Sequence, residues 1–111
     1  MSPFPRTPDA EVLFRLTSQT FDGKTKHVRS GYRPVYDIRS DYWTSTHHEF
    51  LDTDDVSTGQ EARAHVWFIT PEVYPHTLWT GRVLTVAEGS RPIGAATIIR
   101  VLNPLLQAND A

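Results

Sequence analysis

The chain contains no cysteine, which excludes disulfides, thiolate zinc sites and cysteine nucleophiles together. No stretch approaches the roughly 20 consecutive apolar residues that a membrane-spanning helix requires. The opening Met1-Ser2-Pro3-Phe4-Pro5-Arg6-Thr7-Pro8 lacks the apolar core of a secretory leader. It reads as a proline-stiffened tail, and the cytoplasm is the expected compartment. The phosphate-cradling Gly-x-x-x-x-Gly-Lys-Ser/Thr loop is missing, as is the Gly-x-Ser-x-Gly turn that mounts a hydrolase serine. Neither nucleotide binding through such a loop nor nucleophilic catalysis is therefore expected.

Metal-site patterns are also missing. His47 and His48 are adjacent, so on a strand they face opposite sides, and His27, His65 and His76 are scattered. A shared metal would need three strands to converge on it. Asp52, Asp54 and Asp55 lack the glycine and terminal glutamate of a calcium loop, and a solvated acidic loop is the simpler reading. No cofactor is expected.

What is present suits one globular domain: 111 residues, 39% of them hydrophobic and 11% aromatic, enough for a modest core but not for two. Charge is unevenly spread. Residues 23–40 carry Lys24, Lys26, Arg29, Arg33 and Arg39 against Asp37 alone. Residues 41–61 carry Asp41, Glu49, Asp52, Asp54, Asp55 and Glu61 without a lysine or arginine. Such bipolarity either steers partners or marks two solvated faces.

The periodicity is that of half-buried strands. Val12, Phe14 and Leu16 alternate with more polar neighbours, as do Tyr36 with Ile38, and Ala62, Ala64, Val66 and Phe68. Leu84 and Val86 continue the pattern. Ile93, Ala95, Thr97, Ile99 and Val101 form one expected face of a long last strand, with Ile98 and Leu102 on the other. Turn signals at Phe21-Asp22-Gly23-Lys24, Ser57-Thr58-Gly59-Gln60 and Glu88-Gly89-Ser90-Arg91-Pro92 separate the runs. Strands without a helical stripe predict an all-β, small closed antiparallel barrel. Its expected core is Val12, Phe14, Leu16, Ile38, Val66, Phe68, Leu84, Val86, Ile99 and Val101. The barrel is expected over residues 10–103, with flexible tails at 1–9 and 104–111.

Two motifs add to this. Gly31-Tyr32-Arg33-Pro34 precedes one strand, and Glu88-Gly89-Ser90-Arg91-Pro92-Ile93-Gly94-Ala95-Ala96 opens the last, running on into Thr97-Ile98-Ile99-Arg100-Val101-Leu102. In order, separation and position they resemble the C-terminal (third) β-barrel domain of bacterial elongation factor Tu, here without the GTPase domain. The resemblance implies about six strands, and a surface that touches the T-arm of tRNA and protein partners. Carried over residue by residue, it assigns RNA contacts to Arg33, Arg39, Thr44, Glu88 and Gly89. Such contacts go mostly to phosphates and riboses, which hydroxyls, cations and exposed N–H groups reach.

Departures from the family pattern bear on that expectation. Val35 stands where the family has a contacting glutamine, and Ala87 where it has an arginine before Glu-Gly. The segment from Pro71 to Gly81 is longer and aromatic. Within and beside it Tyr42, Tyr74 and Trp79 are candidates for a protein-binding surface, since aromatics dominate interface hot spots. Gly89 and Gly94 are expected at backbone positions that a Cβ would crowd, and Ala95 and Ala96 are expected to permit close packing across the barrel. Two functions follow. One is a non-catalytic, translation-related module that binds tRNA weakly and does not bind GTP. The other is a protein-binding mimic or decoy of the factor, for example giving immunity-type protection against a factor-targeting toxin.

Overall fold

A computed structural model describes residues 6–17, 26–39 and 42–108. Its strands are β1 (Ala10–Leu16), β2 (His27–Arg29), β3 (Val35–Arg39), β4 (Tyr42–Phe50), β5 (Asp55–Ser57), β6 (Glu61–Phe68), β7 (Val83–Glu88) and β8 (Arg91–Val101), with one 3₁₀ turn at Pro71–Val73. Six of them close an antiparallel barrel in the order β1-β6-β4-β3-β7-β8, and β2 pairs with β5 in a small separate sheet. The Asp-Gly turn expected near Phe21 lies outside the described residues. No helix among the described residues is long and apolar enough to cross a membrane.

Alternation builds the interior as expected in most strands. Val12, Phe14, Leu16, Ile38, Val66, Phe68, Leu84 and Val86 are all buried. The last strand departs from its expected face. Val86 pairs with Gly94 and Ala87 with Pro92, so Ile93 is an extra residue; Glu11 pairs with Arg100 and Val12 with Ile98, so Ile99 is another. Each such bulge reverses the in–out parity. The buried residues are consequently Ile93, Ala96 and Ile98, while Ile99 is half-buried and Val101 packs against the core from its margin.

At Gly94 the backbones of β1 and β8 leave no room for a side chain: a Cβ there would lie 2.1 Å from the Arg15 carbonyl oxygen. Only glycine fits. Gly89 has a different reason from the crowding expected: nothing crowds it, but its φ of +61° suits the first position of a two-residue hairpin loop, closed by the pair Glu88–Arg91.

The interior face of β4 is polar. It carries Thr44, Thr46 and His48, all buried. Each is provided with a partner: Thr44 Oγ1 meets the Tyr74 hydroxyl, Thr46 Oγ1 donates to the Pro34 carbonyl at 2.7 Å, and His48 Nε2 lies 2.6 Å from the Tyr36 hydroxyl. Burying these groups is tolerable because each replaces lost water with a protein partner, His48 at Nε2 alone.

The barrel's packed unit extends past its expected boundaries. Asp9 is fully buried; its carboxylate accepts from the Phe68 N–H at 2.7 Å, Arg6 at 2.6 Å and Asn103 Nδ2 at 2.9 Å. Its carbonyl accepts from Leu102 and Asn103. At the other terminus Leu106 is buried and Gln107 bridges to Leu78. Arg6–Asp9 and 104–108 therefore belong to the fold rather than to free tails. The two charge blocks meet in the small sheet, where Arg29 pairs with Asp55 in register.

Candidate functional site

The two motifs, far apart in the chain, touch in space. The Tyr32 hydroxyl donates to Glu88 Oε2 at 2.7 Å, and Lys26 Nζ lies 2.9 Å from Glu88 Oε1. Partial burial works to raise the Glu88 pKa, but the hydrogen bonds from Tyr32 and Lys26 outweigh it and hold the carboxyl below its ordinary range. Burial, and then the Glu88 partnership, push the Tyr32 phenol far above its ordinary value. Both carboxylate oxygens are thus already engaged.

Arg33 follows Tyr32 and leaves the barrel on the opposite side. Its backbone is fixed from both flanks. The Gly31 N–H donates to the His48 carbonyl at 2.8 Å, the His48 N–H to the Tyr32 carbonyl at 2.9 Å, and the Thr46 N–H to the Pro34 carbonyl at 3.0 Å. The exposed guanidinium reaches across to β4, where Arg33 Nε donates to His47 Nδ1 at 3.4 Å. With Nδ1 accepting, the His47 ring presents Nε2–H to Glu49 Oε2 at 2.6 Å.

Arg33 and His47 line a groove of about 530 Å³ on the outer face of β4 and β6. Its walls and floor include Arg6, Arg33, Ser45, His47, Trp67 and Ile69, and its lining contains no carboxylate. Register explains the assembly: His47 pairs with Trp67, and the Ile69 N–H donates to the Ser45 carbonyl. Trp67 is held by its Nε1–H donating to the Arg6 carbonyl at 3.0 Å, with the His47 ring edge-on at 6.0 Å. Arg6 in turn donates to the Phe68 carbonyl at 2.7 Å and pairs with Asp9. Ile69 is 70% exposed at the mouth.

Ser45, His47 and Glu49 alternate along one face in the order of a nucleophile, a base and its orienting acid. The geometry does not support that chemistry. Glu49 and Arg33 occupy both ring nitrogens, so no acceptor is left for the Ser45 hydroxyl. Among the described residues no group of three or more histidines, aspartates and glutamates is arranged to hold a metal ion. A shallower depression of about 320 Å³ runs over the acidic loop, where the Arg63 guanidinium clamps Asp52 at 2.7 and 3.1 Å and holds its carboxyl below the usual range.

The residues expected from the sequence divide between the two ends of β3. Arg33, Glu88 and Gly89 gather at its start. Arg39 lies at its end, its guanidinium 5.7 Å from the centre of the Tyr42 ring. Two expectations are corrected. Thr44 points into the barrel and bonds to Tyr74, because strand parity places it beside Tyr36 on the inner face, so it presents no hydroxyl to a ligand. Tyr74 is likewise no surface residue; it plugs the barrel end against Phe68 and Tyr42. Tyr42 is half-buried, and Trp79 is 45% exposed, with the Arg82 guanidinium 5.1 Å from its ring centre. Arg6, His47, Trp67 and Ile69 were not singled out as binding residues by the sequence. Their signal was weak: His47 and Trp67 sit on two strands whose pairing the sequence does not reveal, and Arg6 and Ile69 lie just outside strands. No protein-family model matches the chain, and no curated protein matches it.

Proposed function

We propose that this chain is a non-catalytic protein-binding module, cytoplasmic and related to translation through its resemblance to the third domain of elongation factor Tu. Mimicry of that factor toward one of its protein partners, or toward a toxin that targets it, is the form the resemblance favours. The observation that carries the reading is the preformed groove on β4 and β6, with an apolar floor, two arginines and an exposed Ile69. Largely preformed concavities lined by aromatic and apolar groups, with a few placed polar ones, are what binding sites look like. No GTP binding is proposed, since the sequence carries no phosphate loop.

RNA binding is the second reading. Arg33 and Arg39, both exposed, favour it, and so does Gly89 in its open turn. Against it, two of the five expected contacts are committed elsewhere: Thr44 to the interior, Glu88 to Tyr32 and Lys26. Affinity capture from lysate, with and without RNase, separates the readings. Partners retained after RNase support the protein reading. Loss of all partners after RNase, together with tRNA affinity falling steeply with salt, would sink it.

A further inference from the structure

We infer that the β4–β6 groove takes an acidic segment of a partner protein, one in which a carboxylate side chain is flanked by apolar residues. The inference rests on the protein-binding reading and adds the place and the chemistry. Its basis is charge complementarity beside an apolar floor. Of the two arginines in the lining, Arg6 is already neutralised by the buried Asp9. Arg33 is exposed and pairs with no carboxylate among the described residues; its side-chain hydrogen bond there is the 3.4 Å one from Nε to His47. That bond engages Nε, and the terminal nitrogens make no hydrogen bond among the described residues.

The placement of Arg33 is what makes it a recognition group rather than a loose surface cation. Gly31, Tyr32 and Pro34 are each tied to β4 by backbone hydrogen bonds, so the residue between them is held in position before any ligand arrives. A guanidinium fork carried on that anchored backbone matches a carboxylate in two parallel hydrogen bonds, which a lysine cannot reproduce. Beside it the protruding Ile69 offers apolar surface for a neighbouring side chain of an extended segment, above a floor in which Trp67 is packed under the Arg6 backbone and almost fully buried. A carboxylate in the groove meets no opposing carboxylate in the lining.

The probe is a short fluorescein-labelled peptide of Glu-Leu repeats capped with Gly-Ser, compared by anisotropy with its Gln-Leu counterpart and with bulk tRNA. Saturable binding of the Glu peptide is expected, about tenfold tighter than the Gln peptide. Arg33→Glu should abolish that preference, and Arg33→Lys should reduce it several-fold. Ile69→Ser and Ser45→Tyr, both at exposed positions, should weaken the Glu peptide while circular dichroism shows unchanged folding. Equal affinity for the two peptides, or no saturable binding, overturns the inference. So does indifference of Glu-peptide binding to both Arg33→Glu and Ser45→Tyr. Preferential binding of tRNA lost in Arg33→Glu overturns it in favour of RNA. If the peptides fail while RNase-resistant capture persists, the protein-binding module stands and only this groove assignment falls.

Discussion

Acidification below neutral pH should destabilise this barrel through His48. Its side chain is fully buried, Nε2 is bound to the Tyr36 hydroxyl at 2.6 Å, and Nδ1 has no hydrogen-bond partner among the described residues. A proton on the ring would bury a charge and leave an N–H unpaired. Burial accordingly lowers its pKa to about 3. The unfolded chain binds that proton near pH ~6.5, so between about 6.5 and 3 the unfolded state holds more protons than the folded one. Stability from this group is then complete above the unfolded value and falls as pH falls, by up to about 1.4 kcal/mol per pH unit. Between pH 7.5 and 5 the loss is about 2 kcal/mol, before most carboxylates begin to titrate. Urea unfolding followed by tryptophan fluorescence at the two pH values measures it. His48→Gln keeps an amide beside Tyr36 but removes the titration, so the variant should lose about 2 kcal/mol less than the wild type over the same interval. Parallel losses in the two proteins would refute the assignment.

Three further outcomes follow from the packing. Gly94→Ala should cost about 3 kcal/mol of stability in urea, because its Cβ meets the Arg15 carbonyl rather than a yielding side chain; an unchanged midpoint would contradict the close approach of β1 and β8. Thr44→Val should cost about 1–3 kcal/mol by leaving the buried Tyr74 hydroxyl without this partner, while its effect on tRNA affinity, measured on folded protein, should be nil. Tyr74→Ala should destabilise by about 3–5 kcal/mol, as a buried aromatic does, and Trp79→Ala should shift the unfolding midpoint far less. Similar midpoints for the two would place Tyr74 on the surface after all.

The barrel was legible where strands obey simple alternation with apolar inner faces, as β1, β6 and β7 do. β4 was not, because its inner positions are Thr44, Thr46 and His48, and nothing in their types announces burial. The inner face of β8 was misread for another reason: Ile93 and Ile99 are bulge residues, and an inserted residue is invisible to a period-two count. The binding surface was half legible. Arg33 stood out through its motif, whereas the groove beside it depends on contacts such as Trp67 to Arg6, which only closure of the barrel brings about. Tyr74 illustrates the converse error: an aromatic in a long divergent segment looked like a surface contact and is a plug.

Between β3 and β7 the backbone ladder is only two pairs long, Val35 with Ala87 and Tyr36 with Val86. Beyond it side chains stand in for strand partners: Asp37 Oδ1 accepts from the Thr85 N–H at 2.7 Å, and Arg82 donates to the Ile38 carbonyl at 2.7 Å. This makes the seam the barrel's slackest stave. A stave laced by two side chains parts more readily than one sewn by a continuous ladder, so native-state amide exchange should be fastest here among the barrel strands. Protection at Thr85 equal to that in β1 would argue otherwise. Tyr36, the inner partner of His48, is the last residue before the lacing begins, so a gap that opens there uncovers the hydroxyl bonded to the buried imidazole. The breathing of the wall then bears on how fast the imidazole meets a proton, while the stability lost to that proton is set by equilibrium alone.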